Sequence, residues 1–102
     1  MKVFAQSVNF NADKELIKYA ETKLSSLTKF HDKIIDAEVF LKVQKTSDKE
    51  NKITEVKINI PGNELIVKRE TKTFEEGINS AVDNLKRQLK RSKEKHRDSL
   101  IS

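Results

Sequence analysis

Residues 35–43 read Ile-Asp-Ala-Glu-Val-Phe-Leu-Lys-Val, and every second side chain in this run is apolar. Successive side chains of an extended chain point to opposite faces, so one face of this segment is apolar and the other carries polar groups such as Asp36 and Lys42. The alternation predicts a strand in a sheet that has one buried face and one solvated face.

Three more strands are predicted around this segment. Residues 2–8 alternate and are rich in side chains that favour strands, and residues 55–60 alternate in the same way. A tight turn at residues 61–63, Pro-Gly-Asn, then leads into a strand that contains residues 65–67. Residues 46–51 have no apolar side chain, and we expect them to form an exposed hairpin loop.

A first helix is predicted over residues 14–29, with Asp13 as its N-cap. Its apolar residues recur three or four positions apart, which places them on one face of a helix. They are Leu16, Ile17, Ala20, Leu24 and Leu27.

A second, longer helix is predicted to start at Thr73. Thr73 and Glu76 fit a capping box, in which each side chain bonds the backbone amide of the other residue. The apolar stripe of this helix stops at Leu89, whereas helix-forming residues continue to about Arg97. The stripe consists of Phe74, Ile78, Ala81, Val82, Leu85 and Leu89. We therefore expect the last two turns to project beyond the core.

The predicted elements follow the order β-α-β-β-β-α. A four-stranded sheet with two helices packed on one face would bury every apolar stripe at once, so the predicted class is α+β. The length of 102 residues suits one domain. We expect that domain to span residues 1–97 and residues 98–102 to form a frayed tail.

The composition argues against several classes of function. The chain has no cysteine, and it has no apolar run that would serve as a membrane span or a signal peptide. Its two histidines, His31 and His96, lack partners at metal-binding spacing, and no glycine-rich phosphate loop is present. We therefore expect a soluble, cytoplasmic protein that has no cofactor, no metal and no catalytic activity.

The positive charge of the chain is local. The net charge is +5, yet residues 86–97 hold seven basic residues and one acidic residue, while the rest of the chain holds 14 basic and 15 acidic residues. Two neighbouring rows of cations on one helix suit a phosphate backbone. The alternative is a solvated helix end, where the helix dipole favours cations. The candidate RNA-binding residues are Lys86, Arg87, Lys90, Arg91, Lys93 and Arg97, with Lys68, Arg69 and Lys72 just before the helix.

Aromatic side chains are a second kind of candidate, because bases can stack on them. Phe10, Tyr19 and Phe30 are better explained as residues that close the edges of the core. Phe40 differs, since the alternation of its strand places it on the polar face. It is the aromatic residue that we would test for contact with RNA.

Two stretches resemble a known family. Residues 23–30 read Lys-Leu-Ser-Ser-Leu-Thr-Lys-Phe, and residues 77–79 read Gly-Ile-Asn. Residues 84–93 read Asn-Leu-Lys-Arg-Gln-Leu-Lys-Arg-Ser-Lys. Together with the order of the elements, these stretches are similar to the ribosome hibernation-promoting factor family, also called the sigma-54 modulation or ribosome-associated inhibitor family. The resemblance spans nearly the whole chain.

Four positions depart from the pattern of that family. Thr73 stands where aspartate is usual and Arg91 where lysine is usual, and these two changes keep the cap and the charge. Glu75 replaces a tyrosine and Asn84 replaces a lysine, so an aromatic ring and a cation are absent from this helix.

The resemblance implies a fold like a double-stranded-RNA-binding domain with an added N-terminal strand. It also implies a partner, the small ribosomal subunit and its ribosomal RNA, bound free or within whole ribosomes. Translation would be blocked because the protein occupies the path of messenger and transfer RNA, with Arg87, Arg91 and Lys93 as ribosomal-RNA contacts. The chain resembles the short members of the family, and we expect a monomer off the ribosome, with no membrane or small-molecule partner.

Two other functions remain open from the sequence. A general double-stranded-RNA-binding module would share the basic helix but would bind isolated duplexes by their shape. A transcription modulator would instead use the basic helix to dock on an acidic protein.

Overall fold

The computed structural model describes residues 2–45 and 50–101, and it describes side chains for residues 2–45 and 50–91. The elements confirm the predicted order of strands and helices. They are β1 (Lys2–Ser7), α1 (Lys14–Ser25), a short 3₁₀ helix (Ser26–Lys29), β2 (Asp36–Val43), β3 (Lys52–Ile60), β4 (Asn63–Thr71) and α2 (Phe74–Ile101).

The four strands form one mixed sheet in the order β1-β2-β3-β4. β1 pairs with β2 in parallel, and the other two pairs are antiparallel. The register places Ala5, Val39, Val56 and Val67 in one row across the sheet. Because side chains alternate along each strand, this row defines a single apolar face.

Both helices cover that apolar face and leave the other face of the sheet open. Val39 and Val56 are fully buried, as are Leu24 of α1 and Leu85 of α2. The α2 stripe was predicted correctly, since Phe74, Ile78, Ala81, Leu85 and Leu89 are all buried. Leu16, Ile17 and Val82 pack partly buried against the same core. The α+β class with two helices on one face is confirmed.

The end of α1 differs from the prediction of a helix to Lys29. The α-helix ends at Ser25, and the chain tightens into the 3₁₀ helix. The Ser26 hydroxyl donates to the carbonyl oxygen of Lys23 at 2.6 Å, and the Thr28 hydroxyl donates to that of Ser25 at 2.9 Å. Short hydroxyl side chains compete with backbone amides for carbonyl acceptors, which favours the tighter turn.

Ile35 was placed wrongly on the apolar face of the second strand. β2 starts at Asp36, and the Ile35 side chain is 57% exposed. Its backbone amide bonds the carbonyl oxygen of Asn59 at 2.8 Å, so the chain is already tied to β3 at this point. The neighbouring Ile34 fills the core instead, with 8% of its surface exposed.

The structure describes the whole turn between β3 and β4 but only part of the loop between β2 and β3. The Pro61-Gly62 turn joins β3 to β4 as predicted, and Gly62 has a φ of 77°, which a type II turn requires at its third residue. In the predicted loop over residues 46–51, residues 46–49 lie outside the described part of the chain. Next to it, the Gln44 amide bonds the Asn51 carbonyl oxygen at 2.8 Å.

The Asp13 cap is confirmed, and the structure gives one of the two hydrogen bonds of the predicted capping box. The Asp13 carboxylate accepts a hydrogen bond of 2.7 Å from the Leu16 amide at the start of α1. At the start of α2, the Glu76 amide donates to the Thr73 hydroxyl at 3.2 Å. α2 then continues to Ile101, and side chains of residues 92–101 lie outside the described part. The domain over residues 1–97 and the tail over 98–102 stay predictions.

Candidate nucleic-acid interface

The buried stripe of α2 fixes which way its cations point. Taking Leu85 as the centre of the stripe and about 100° per residue, Lys86 and Lys90 fall on one flank of the helix. Arg87 and Arg91 fall on the opposite flank, toward the solvent-facing ridge. Leu85 is a suitable reference for these positions because its side chain is fully buried. The two rows of cations predicted from the sequence therefore lie on either side of the outer ridge of α2.

The flank that carries Lys86 and Lys90 faces α1 and the 3₁₀ helix. Near the start of α2, the Tyr19 hydroxyl of α1 donates to the side-chain oxygen of Asn79 at 3.1 Å. Further along, the ammonium groups of Lys86 and Lys90 lie 4.7 Å and 5.2 Å from the centroid of the Phe30 ring. Both distances are within the range of cation–π interaction.

A third lysine extends this flank on the side of α1. The ammonium group of Lys23 lies 5.5 Å from the ring centroid of Tyr19. The side of the domain where α1 and the 3₁₀ helix pack against α2 thus carries two aromatic rings, and each ring has at least one lysine ammonium group beside it. Sequence reasoning placed Tyr19 and Phe30 at the edge of the core, which is confirmed, but it missed their lysines. The contact between Phe30 and its lysines has a signal in the sequence, because Lys86 and Lys90 are four residues apart and therefore lie on the same face of a helix.

The other flank of α2 lies toward β4. The Arg69 side chain of β4 donates from Nε to the Ser80 hydroxyl at 3.0 Å and from Nη1 to the Lys68 carbonyl oxygen at 3.1 Å. Arg87 forms an ion pair of 3.0 Å with Asp83, and both side chains are about two-thirds exposed. Such exposed pairs contribute little stability, so Arg87 can exchange this partner for another anion.

The three candidates before the helix lie in different places. Lys68 and Arg69 are neighbours in β4, so their side chains point to opposite faces of the sheet. Lys68 lies on the open face, opposite Glu55 in the register. Lys72 lies between β4 and α2, about 20 Å along the helix axis from Lys86. Of these three, only Arg69 lies beside α2, next to the flank that carries Arg87.

Lys93 and Arg97 belong to the last part of α2. Their backbone is helical, but their side chains lie outside the described residues. The helical phase of 100° per residue predicts that they continue the flank of Lys86 and Lys90.

The open face of the sheet has a different charge pattern from α2. Its rows place Glu38 opposite Lys57 and Glu55 opposite Lys68, and Lys57 also forms an ion pair of 3.4 Å with Glu64. Phe40 lies on this face, half-buried between Gln6 and Glu55 in the register. The aromatic residue selected for an RNA test is therefore on the side opposite the helices.

The described residues contain no group of three or more His, Cys, Asp or Glu residues that could hold a metal ion. None of the described helices is long and apolar enough to cross a membrane.

Comparison with known proteins identifies a family and several relatives. Residues 3–97 match the family described as sigma 54 modulation protein / S30EA ribosomal protein. A ribosome hibernation promoting factor of Pseudomonas putida is 31% identical over 100 residues, which covers 98% of this chain and 94% of that protein. A ribosome hibernation promotion factor of Deinococcus radiodurans is 31% identical over 90 residues, covering 86% of this chain but 47% of that protein.

Two solved structures share the fold. A ribosomal subunit interface protein from Coxiella burnetii superposes with a TM-score of 0.79 at 18% identity, covering 91% of this chain and 98% of that one. The N-terminal domain of Protein Y from Thermus thermophilus gives a TM-score of 0.71 at 27% identity, covering 88% of this chain and 93% of that one. These similarities agree with the α+β arrangement described above.

Proposed function

The chain belongs to the sigma 54 modulation protein / S30EA ribosomal protein family, and from this premise we propose that it binds the small ribosomal subunit in the cytoplasm as a hibernation factor. Relatives that share 31% of its sequence carry the name ribosome hibernation promoting factor. The binding surface in this proposal is the outer side of α2, including the two flanks that carry its cations.

The observation that carries this proposal is the contrast between α2 and the open face of the sheet. On the open face, cations such as Lys57 have carboxylates beside them. On α2, Lys86 and Lys90 have an aromatic ring beside them, and among the described residues neither ammonium group forms an ion pair within 4.0 Å. The Arg91 side chain, on the other flank of α2, is exposed. Among the described side chains, Lys86, Lys90 and Arg91 therefore form no ion pair on the helix side, which favours binding of a polyanion there.

The proposed partner is ribosomal RNA, and the proposed contacts are to its phosphates. Contacts to phosphates dominate affinity for nucleic acids and carry little sequence information. Lys86, Arg87, Lys90 and Arg91 would bind phosphates, together with Lys93 and Arg97 if the helical phase continues. With five or six such contacts, the logarithm of affinity should fall with the logarithm of salt concentration at a slope of about −4 to −5.

The proposed mechanism is occlusion rather than chemistry. The protein would occupy the path of messenger and transfer RNA on the small subunit, and translation would stop while it is bound. Release at the end of dormancy would then need only dissociation, because no covalent bond is formed or broken.

Co-sedimentation with small subunits, large subunits and whole ribosomes tests this proposal. The test variant is Arg87→Glu combined with Arg91→Glu. Losing two phosphate contacts should weaken small-subunit binding at least about 30-fold at 0.15 M salt and flatten the salt slope by about 2. Neither side chain belongs to the buried stripe, so the thermal unfolding midpoint should change little.

The matched control is Lys2→Glu combined with Lys42→Glu. It changes the net charge by the same four units, but both lysines are exposed on the open face of the sheet. We expect it to bind like the unmodified protein. Equal losses in the two variants would mean that binding follows net charge alone. Equal affinity for naked duplex RNA and for small subunits would favour a general double-stranded-RNA-binding module instead.

A further inference from the structure

We propose that Phe30 positions Lys86 and Lys90 as a pair that binds one phosphate group of the RNA backbone. The identity of the RNA rests on the proposed function. The ring, the two lysines and their arrangement belong to the free protein and can be measured without the ribosome.

The position of the Phe30 ring is set by the core. Phe30 follows the 3₁₀ helix directly, and its amide bonds the Leu27 carbonyl oxygen at 3.0 Å. Leu27 is fully buried in the core. Phe30 packs partly buried against the same core, so part of its ring remains accessible beside α2. The ring is therefore a fixed point on an otherwise polar surface.

Both lysines converge on this fixed point. Their ammonium groups lie 4.7 Å and 5.2 Å from the same ring centroid, although they come from successive turns of α2. Like charges four residues apart on a helix repel each other, and long side chains normally reduce this repulsion by moving apart. Attraction of each cation to the ring opposes that separation. Phe30 thus gives the ammonium groups of both lysines one shared contact.

The ring orders the lysines without neutralising them. A carboxylate partner would remove charge, as Asp83 does for Arg87 in their ion pair of 3.0 Å. A phenylalanine ring has no net charge, and each ammonium group keeps N–H donors directed away from the ring. The pair therefore has a charge of +2 and N–H donors that the ring does not occupy, which suits the non-bridging oxygens of one negatively charged phosphate group.

The contact with Phe30 orders the two lysine side chains before RNA binds, and this ordering should raise the affinity. Immobilising a long, flexible side chain at an interface costs about 0.5–1.5 kcal/mol. Lysines that already rest on a ring have lost part of that freedom in the free protein. Removing the ring should therefore weaken RNA binding even though no phosphate contact is deleted.

The first test uses the free protein and inorganic phosphate as the probe. In NMR spectra, the ring should shift the side-chain protons next to the Lys86 and Lys90 ammonium groups upfield. Phe30→Leu should abolish these shifts and Phe30→Tyr should keep them. On titration with phosphate, the two lysines should respond together, at lower concentrations than exposed lysines such as Lys14. A uniform response of all lysines, or unchanged shifts in Phe30→Leu, would contradict the proposal.

The second test measures binding to small subunits. Phe30→Leu should lower affinity about three- to tenfold, which corresponds to the ordering cost of about one lysine, while the salt slope stays the same. Phe30→Tyr, which keeps an aromatic ring, should bind with the affinity of the unmodified protein. In a background of Lys86→Gln and Lys90→Gln, Phe30→Leu should have no further effect. An equal loss in both backgrounds would mean that Phe30 acts only through the fold.

Phe10 provides the matched control for loss of a ring. It is also a half-buried phenylalanine at the edge of the core, but it stacks on Phe74 with ring centroids 4.9 Å apart. Phe10→Leu should lower stability without changing affinity.

The two proposals can fail separately. If the unmodified protein does not sediment with small subunits but phosphate still selects Lys86 and Lys90, the proposed function is wrong and the phosphate site stands. If it sediments and Phe30→Leu has no effect, the role of Phe30 is wrong and the function stands.

Discussion

At Gly77, α2 approaches the sheet closely. A Cβ atom at this position would overlap the Thr54 hydroxyl, and it would lie 3.1 Å from the Thr54 Cβ and 3.0 Å from the Thr71 hydroxyl. Thr54 is fully buried in β3, and its hydroxyl has no hydrogen-bond partner among the described residues. A threonine side chain is stiff at χ1, so it has little freedom to move away.

We predict that Gly77→Ala destabilises the protein. On an exposed helix surface, this change would stabilise by about 1 kcal/mol, because alanine favours helices. Here the overlap with Thr54 should outweigh that gain and give a net loss of about 1–2 kcal/mol, as overpacking of a core does. Denaturant unfolding would measure the loss. The control is the same change in a Thr54→Ala background, which removes the overlapping hydroxyl, so the loss should be clearly smaller there. A stabilised Gly77→Ala single variant would contradict the close approach.

At the scale of the elements, strand alternation separates residues that the sequence places side by side. Lys68 and Arg69 were grouped with the α2 cations because they precede the helix in the chain. The structure places Lys68 opposite Glu55 on the open face, whereas Arg69 bonds Ser80 of α2. Distance along the chain is therefore a poor guide to the extent of a charged surface.

Two lysine-to-alanine variants test this separation. We predict that Lys68→Ala leaves the affinity for small subunits within about twofold of the unmodified protein and leaves the salt slope unchanged. Lys86→Ala should weaken binding by more than that, since it removes one of the two lysines assigned to a shared phosphate group. Sedimentation over a salt series measures the affinity of both variants. A similar loss of affinity for the two variants would show that the open face also touches RNA.

Periodicity predicted the elements well because it reflects burial directly. The apolar positions of α2 and the alternation of β2 each identify one buried face, and that face is confirmed at Leu85 and Val39. The α1 terminus was less predictable, because it depends on hydroxyl groups such as that of Ser26 competing for local carbonyl groups. The parallel pairing of β1 with β2 depends on how distant parts of the chain meet, which local patterns do not encode.

At the scale of the whole molecule, the two faces carry different chemistry. One face of the sheet is open, and its charges alternate in pairs such as Glu38 and Lys57. The helix side carries Lys86, Lys90 and Arg91 without a described carboxylate partner. Net charge alone could not have located this asymmetry. The asymmetry depends on which side chains of each strand and helix face the solvent, and only the fold determines that. The charge count over residues 86–97 located α2, and the fold then separated the candidates around it.

The proposed mechanism also makes a prediction for the assembled complex. If the protein occupies the path of messenger and transfer RNA, then the protein and these RNAs exclude each other on the small subunit. Small subunits preloaded with messenger and transfer RNA at about 100 times their dissociation constant should bind the protein about 100-fold more weakly. The coupling is reciprocal, so saturating protein should weaken transfer-RNA binding by the corresponding factor.

Competition binding with labelled transfer RNA measures both directions of this coupling. The Arg87→Glu and Arg91→Glu variant should fail to displace transfer RNA at concentrations where the Lys2→Glu and Lys42→Glu variant succeeds. This comparison separates occlusion from general interference by a basic protein, because both variants have the same net charge. Simultaneous binding of the protein and transfer RNA, each with unchanged affinity, would place the protein elsewhere on the subunit. In that case the cations of α2 would still bind ribosomal RNA, but translation would have to be blocked by some other step.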